Sequence, residues 1–286
     1  MAELSRRLPE NVPGEFFVDS TCIDCDTCRQ IAPATFGETG EFSFVQHQPR
    51  SETERQSAYR ALVACPVASI GAGDKSLAAA AVREFPFLLE PRLYYCGFNS
   101  RKSFGGNSYF LEHSDGNWLI DSPRFVEHLA RQFERKGGIR HIFLTHRDDV
   151  ADAERYAERF GAERIIHRLE LSAQPTAERV IAGFDPLELA PGFVAIPTPG
   201  HTRGHCVLLA ESRFLFTGDH IWWSRHRRRL SASRDVCWYS WPDQVASVRK
   251  LLSYSFEWIL PGHGERIRFD RPEMSAQMSR LVQAVA

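Results

Sequence analysis

The sequence predicts an α+β chain of two modules, a small cysteine-rich one followed by a larger one in which two sheets are flanked by helices. Three observations carry that expectation. Four of the seven cysteines fall within residues 22–65, the first three spaced C-x2-C-x2-C. Beyond them, short apolar strands alternate with amphipathic helices to near the end of the chain. Charge divides in the same place: residues 1–74 hold 11 acidic and 6 basic side chains, a balance of −5, and the rest hold 25 and 29, a balance of +4. A chain of 286 residues, 43% hydrophobic and 25% charged, can bury a sizeable core and is not collagen-like, disordered or a disulfide-stapled miniature. Its net charge of −1 makes no case for nucleic acid. No apolar run approaches the ~18 residues of a membrane span, and MAELSRRLPENVPGEF lacks a signal-peptide core. A cytoplasmic protein without membrane or nucleic-acid partners is expected.

The first module is read from its cysteines. Cys22-Ile-Asp-Cys25-Asp-Thr-Cys28 is followed at a distance by Cys65, directly before Pro66. Cysteines three apart can aim their sulfurs at one centre from a tight loop, and a remote fourth closes the set. Zinc more often takes two separated C-x2-C pairs, whereas C-x2-C-x2-C with a distant Cys-Pro is an iron–sulfur pattern. The stretches TCIDCDTCRQIAPATFGETGEFSF and ALVACPVASIG resemble the two halves of a single-cluster bacterial-type ferredoxin, over about residues 14–73. The resemblance implies an α+β ferredoxin-like module, residues 1–75, holding one [4Fe–4S] cluster on Cys22, Cys25, Cys28 and Cys65. Position 32 is Ala and no second C-x2-C-x2-C exists, so one cluster is expected. Cys96, Cys206 and Cys237 are scattered and read as core or incidental thiols. Asp19, Asp24, Asp26, Glu38 and Glu41 form either a solvated acidic face or a docking face for a basic redox partner.

Residues 51–64, with Ala58, Leu62 and Val63 on apolar spacing, predict a helix leading into Cys65. Residues 76–91, which contain Pro86 and Pro91, predict a linker of short helix and turn. The larger module spans 92–286. Strands are expected at 93–98, 108–112 and 118–121, with Asp115-Gly116 marking a hairpin. A helix over 125–136 is stopped by Gly137-Gly138. A strand at 141–145, a helix at 149–160 before Gly161 and a strand at 164–167 follow. Strands at 193–197, 206–211 and 213–216, a helix at 242–252 and a strand at 258–260 complete the pattern.

Metal-capable side chains stand at the ends of these strands: His146, His201, Asp219 and His263. Converging, such tips can bind one or two metals through nitrogen and oxygen. The segments LIDSP, LTHRDD, TPGHTRGH, LFTGDH and LPGHGE resemble, in order, those of the metallo-β-lactamase-fold hydrolases. The resemblance covers about residues 92–268 and implies an αββα sandwich with a metal site at one edge. The family's leading motif, His-x-His-x-Asp-His, here reads His146-Arg147-Asp148-Asp149-Val150-Ala151. Carried over residue by residue, the resemblance implies a first site of His146, Asp148, His201 and Asp219 holding one zinc or iron ion. The second site keeps His263, as ligand or orienting partner, and a share of Asp219; Asp149 or Asp152 is positioned to help or to begin a helix. His205 reads as a structural hydrogen-bonder and Asp121 as fixing a strand end.

Arg225, Arg227, Arg228 and Arg229 follow Trp222-Trp223. They read as a solvated loop, as a mouth that attracts an anionic small-molecule substrate, or as a dock for the acidic module. The first functional expectation is metal-assisted hydrolysis of an ester, thioester or phosphoester, with Asp148 or Asp149 accepting the proton of the attacking water. Little follows His263, which argues against a glutathione thioester. The alternatives are a non-haem iron oxidoreductase, similar to the persulfide dioxygenases and fed by the ferredoxin module, and a non-catalytic electron carrier or redox sensor on a degenerate scaffold.

Overall fold

In the computed structural model, which describes residues 2–285, the chain divides into two units. Among these, the first comprises residues 2–117 and 123–138, the second residues 118–122 and 139–285. Among the described residues no helix is long and apolar enough to cross a membrane.

The first unit begins with β1 (Phe17–Val18), α1 (Thr27–Ile31), β2 (Phe36–Glu38), β3 (Ser43–Val45), α2 (Glu52–Ala64) and β4 (Ile70–Gly71). β1 pairs antiparallel with β4, and β2 with β3. Asp24 and Asp26 both adopt left-handed backbone, φ 55° and 65°, a conformation aspartate tolerates better than most residues. These two turns wind the C-x2-C-x2-C segment back on itself. α2 starts where expected, with Ser51 Oγ accepting from Glu54 N. It stops at Cys65 because Pro66 disfavours helical backbone in the residue before it; Cys65 takes φ −56°, ψ 120°. The cysteine therefore leaves the helix as its last turn closes.

The unit continues through α3 (Lys75–Arg83), β5 (Phe87–Glu90), β6 (Leu93–Tyr95), β7 (Tyr109–Leu111) and α4 (Glu127–Arg135). The linker helix forms, capped by Asp74. The turn expected after it is replaced by β5, which pairs antiparallel with β6; β6 in turn pairs with β7. The apolar Phe-Leu-Leu run between the two prolines has enough apolar surface to join a sheet. Segment 99–107 is tied to the cysteine loop. Asn99 Nδ2 donates to Thr27 Oγ1 and to the Gly105 carbonyl (3.1 and 2.6 Å), and Asn107 Nδ2 donates to Gln30 Oε1 (3.2 Å).

In the second unit β8 (Trp118–Ile120), β9 (His141–Phe143), β10 (Glu163–His167) and β11 (Arg179–Ile181) lie parallel in that order. α5 (Ala153–Phe160) crosses from β9 to β10 and ends at left-handed Gly161. The second sheet takes β12 (Leu187–Ala190), β13 (Phe193–Pro197), β14 (Cys206–Ala210) and β15 (Phe214–Gly218). A hairpin of β16 (Trp222–Ser224) and β17 (Arg229–Ser231) follows, then α6 (Trp241–Lys250), β18 (Trp258–Pro261), β19 (Ile267–Arg268) and α7 (Arg271–Val285). The sheet order is β12-β13-β14-β15-β18-β19, antiparallel except between β15 and β18. Trp118 stacks on Phe193 at 4.4 Å, packing one sheet on the other. Val207, Leu209, Leu215 and Ile259 of the second sheet share a buried cluster with Val248 of α6 and Met274, Met278 and Leu281 of α7. The unit is thus layered helix, sheet, sheet, helix, as expected of an αββα sandwich.

Candidate metal centres

Cys22, Cys25, Cys28 and Cys65 line one cavity in the first unit, walled by Val18, Ile23, Val67 and Ile70. Ser43 N donates to Cys22 Sγ, Thr27 Oγ1 lies beside Cys25 Sγ and Ser69 Oγ beside Cys65 Sγ, each at 3.4 Å. Burial pushes the Cys25 thiol up to about 11 and raises Cys28 as well, with neighbouring sulfurs adding to both. Four thiols held together at this cost suit a cationic group that takes thiolates, and the donor set fits one [4Fe–4S] cluster. Three of the surrounding acids meet in Arg29, which pairs with Asp24 at 2.6 Å, Asp26 at 2.8 Å and Glu38 at 3.3 Å.

In the second unit His146 follows β9, Asp148 and Asp149 lie on a single 3-10 turn, His201 follows β13, Asp219 follows β15 and His263 follows β18. Every one is released just past a strand end, where the backbone leaves the sheet. Asp219 Oδ2 lies 3.6 Å from His146 Nε2, 3.5 Å from His201 Nε2 and 3.9 Å from His263 Nε2. Asp148 Oδ2 lies 3.8 Å from His146 Nε2 and 3.6 Å from His201 Nε2. A tetrahedral ion with ligands at 2.0–2.1 Å spaces them roughly 3.4 Å apart, so this set needs only small adjustments to close on one. Both imidazoles are buried and their Nε2 atoms have no hydrogen-bond partner. Such atoms are costly unless something else satisfies them, and a divalent ion does so. His146, Asp148 and His201 form one group with converging ligand atoms, and His146, Asp149 and Asp219 a second.

The electrostatics agree. Burial works to lower His146, but the charges of Asp219 and Asp149 override it and push its pKa up to about 10. Burial alone would raise Asp219; His263, His146 and His201 hold it far below the usual carboxylate range. The His201 imidazole beside it lowers Asp148, and burial followed by repulsion from Asp219 raises Asp149. A pocket that holds an imidazolium this firmly is one that attracts cations.

Behind the ligands, Thr145 Oγ1 donates to Asp121, leaving its oxygen to accept from His146 Nδ1 at 3.0 Å. His201 Nδ1 donates to the Val236 carbonyl at 2.5 Å. Both bonds select the tautomer whose Nε2 lone pair faces the centre. Asp121 thus acts at a strand end, as expected, and also reaches His146 through Thr145. His205 Nδ1 bonds Thr198 Oγ1 at 2.9 Å, the structural role foreseen for it. His220 stacks on His205 at 5.3 Å, and burial drives both pKa values down, His220 to about 3.

Sequence reasoning passed over the segment carrying Val236 and Trp238. Trp238 is 68% exposed, its ring 6.0 Å from that of His201, and its N donates to the His201 carbonyl. The Trp-Tyr-Ser-Trp run was its visible signal. Arg225, Arg227, Arg228 and Arg229 occupy the exposed end of the β16–β17 hairpin. Arg225 is committed to Glu265 at 2.6 Å. The hairpin root reaches the His263 loop, where Trp222 packs against Gly264 and Trp223 N bonds the Glu265 carbonyl.

Residues 18–72 match the 4Fe-4S single cluster domain of Ferredoxin I, and residues 101–263 the metallo-beta-lactamase superfamily. A hydroxyacylglutathione hydrolase of Rhizobium meliloti (strain 1021) is 31% identical over 175 residues, 57% of this chain and 66% of that one. A hydroxyacylglutathione hydrolase of Rhizobium etli is 36% identical over 106 residues, 36% of this chain and 41% of the relative. Thioesterase pkgB of Emericella nidulans is 26% identical over 183 residues, 60% of this chain and 50% of the relative. The chain thus spans less than two thirds of the length of these relatives. Among solved structures, BLEG-1 B3 metallo-beta-lactamase aligns with TM-score 0.51 and 18% identity over 68% of this chain and 99% of that one. A metallo-beta-lactamase from Hirschia baltica aligns with TM-score 0.52 and 16% identity over 68% and 95%. At these identities the likeness concerns the fold.

Proposed function

Because this chain belongs to the metallo-beta-lactamase superfamily and carries a single-cluster 4Fe-4S domain at its N-terminal end, we propose that it is a metal-dependent hydrolase of a thioester. The observation that carries the reading is the convergence of two buried, unpartnered imidazole Nε2 atoms with the carboxylates of Asp148 and Asp219. The thioester follows from the relatives named as a hydroxyacylglutathione hydrolase and a thioesterase. Those names keep the glutathione thioester among the substrates to be tried, against the expectation drawn from the short stretch after His263.

When bound, a zinc or iron ion would supply an activated water and a Lewis acid toward the substrate carbonyl. His146 and His201, locked by Thr145 and Val236, would hold it together with Asp219 and Asp148. Asp148 is the open member, its side chain 48% exposed, and is kept ionised by His201. It takes the proton of the attacking water at its outer oxygen and releases it to solvent. Trp238 gives the acyl group an apolar wall beside His201, and Arg227, Arg228 and Arg229 draw in an anionic thiol carrier by long-range attraction. The cluster module exchanges electrons with a partner or senses oxidation, in a cytoplasmic setting.

The two-imidazole, one-carboxylate set of His146, His201 and Asp219 also supports a second reading, an iron-dependent oxidoreductase. One experiment separates the two. Protein purified anaerobically is analysed for iron, zinc and sulfide, then assayed for thiol release from glutathione and coenzyme A thioesters and for oxygen uptake with persulfide. His146→Ala and His201→Ala are expected to lose the ion beyond the cluster and to lose thiol release by at least ~10³-fold. Metal-loaded protein that consumes oxygen but releases no thiol rejects the hydrolase.

A further inference from the structure

The loop between β6 and β7 puts a buried amide behind the cysteine loop. Asn99 lies outside both matched stretches, 18–72 and 101–263. It is nevertheless wholly buried beside Thr27, which stands between Cys25 and Cys28 and is itself buried. Asn99 Nδ2 donates to the Gly105 carbonyl at 2.6 Å and to Thr27 Oγ1 at 3.1 Å, with Asn107 Oδ1 farther off at 3.5 Å. A carbonyl only accepts, so the atom that faces Gly105 is nitrogen and the orientation of the amide is fixed. On its other side Asn99 Oδ1 accepts from the buried Tyr95 Oη at 2.7 Å. Both amide hydrogens are thereby committed. The Thr27 hydroxyl has one hydrogen and two acceptors in reach, the Gly105 carbonyl at 3.2 Å and Cys25 Sγ at 3.4 Å. Asn99 already serves that carbonyl by the shorter bond, and a Cys25 that holds a cluster is a thiolate, a charged acceptor. The hydroxyl proton therefore falls to sulfur.

We propose that Asn99 is a positioning residue for the cluster, committing the Thr27 hydroxyl proton to the Cys25 sulfur and so raising the potential at which the cluster takes up one electron. The proposal rests on reading the four cysteines as the holders of a [4Fe–4S] group. Uptake of an electron adds negative charge to the cluster and its thiolates while the hydroxyl keeps its proton. A donor aimed at one of those sulfurs favours the reduced state. Without Asn99 the Gly105 carbonyl loses its donor, and it lies nearer to Thr27 Oγ1 than the sulfur does, so it takes the hydroxyl back. Tyr95 extends the same arrangement into β6. A segment outside the cysteine-bearing stretch thus sets the driving force for electron exchange.

The test uses the full chain purified anaerobically, with iron and sulfide counted and the midpoint potential read by EPR-monitored titration with dithionite and mediators. Thr27→Val is expected to lower the reduced-to-oxidised ratio about tenfold at a given potential, ~59 mV for one electron. Asn99→Leu is expected to lower it by a similar factor, and the double variant no further, while Thr27→Ser keeps the hydroxyl and stays near wild type. A wild-type potential in Asn99→Leu, or shifts that add in the double variant, overturns the proposal. Should Asn99→Leu fail to hold its cluster, Tyr95→Phe decides, since it lets the amide leave the Gly105 carbonyl: a lowered potential upholds the arrangement and an unchanged one rejects it. Failure of the cluster reading is registered separately. Wild type without iron and sulfide refutes that reading, whereas an assembled cluster indifferent to Asn99 refutes this inference alone.

Discussion

Thr145 shows how far a single hydroxyl reaches in this site. Its proton is committed to Asp121 and its oxygen receives His146 Nδ1, so one small side chain sets a tautomer and a ring angle. Thr145→Val preserves shape and removes that acceptor. The affinity of the centre for its ion is expected to fall ~10–100-fold, read by competition with a chromogenic chelator; unchanged affinity would show that packing alone orients the ring. His146 was legible as a candidate ligand because it stands where a strand ends in a Thr-His step. The Thr145–Asp121 support behind it was not, since 24 residues separate the two and no local pattern joins them. The Val236 carbonyl at His201 was invisible for a stronger reason: every residue has a carbonyl, and only folding selects one.

Two elements of the first unit depend on contacts of similar reach. Gly105 sits at φ 88°, and a Cβ there would fall 2.6 Å from Cys25 Cβ and 3.2 Å from Pro66. Gly105→Ala both strains the backbone and pushes on a cluster cysteine. We expect markedly lower iron and sulfide content with all four cysteines intact; full cluster occupancy would mean that the loop yields freely. α2 is anchored by Glu15, which receives Arg55 Nε and Nη2 at 3.2 and 3.0 Å and Tyr59 Oη at 2.6 Å. Burial would raise Glu15, but Arg55 and Tyr59 win and lower it below 4.5. A depressed carboxylate contributes stability that is present above its unfolded value and lost as pH falls through the folded one. Glu15→Gln is therefore expected to cost about 1 kcal/mol at pH 7, a modest figure because the pair is part-exposed. Urea denaturation should show the gap between the two proteins closing as pH falls below the ordinary carboxylate range; a gap that persists in acid would assign the cost to packing.

Over the whole molecule, local signals were read well wherever the chemistry itself is local. A C-x2-C-x2-C loop, a cysteine forced out of a helix by Pro66, and histidines at strand tips are each a few residues long, so the two modules and a set of candidate ligands could be named in order. Strands β9, β10, β13 and β14 showed themselves as apolar runs bounded by turns. The short strand β5, the β16–β17 hairpin and α7 did not: β5 spans only four residues next to Pro86 and Pro91, each hairpin strand only three, and α7 packs on a sheet formed by segments distant in sequence. Charge pairing was not legible either: of the acids read as a solvated or docking face, Asp24, Asp26 and Glu38 meet in Arg29, whose pairing with Glu38 depends on the turn into β2. Arg225 is likewise held by Glu265, forty residues on. What the order of residues settles here is the inventory of donors, since thiols, imidazoles and carboxylates keep their chemistry wherever they lie. What folding settles is which of them meet: Asp149 becomes a candidate ligand only because strands ending at Gly218 and Pro261 bring Asp219 and Gly262 against it, and burial removes the water that would otherwise have satisfied it.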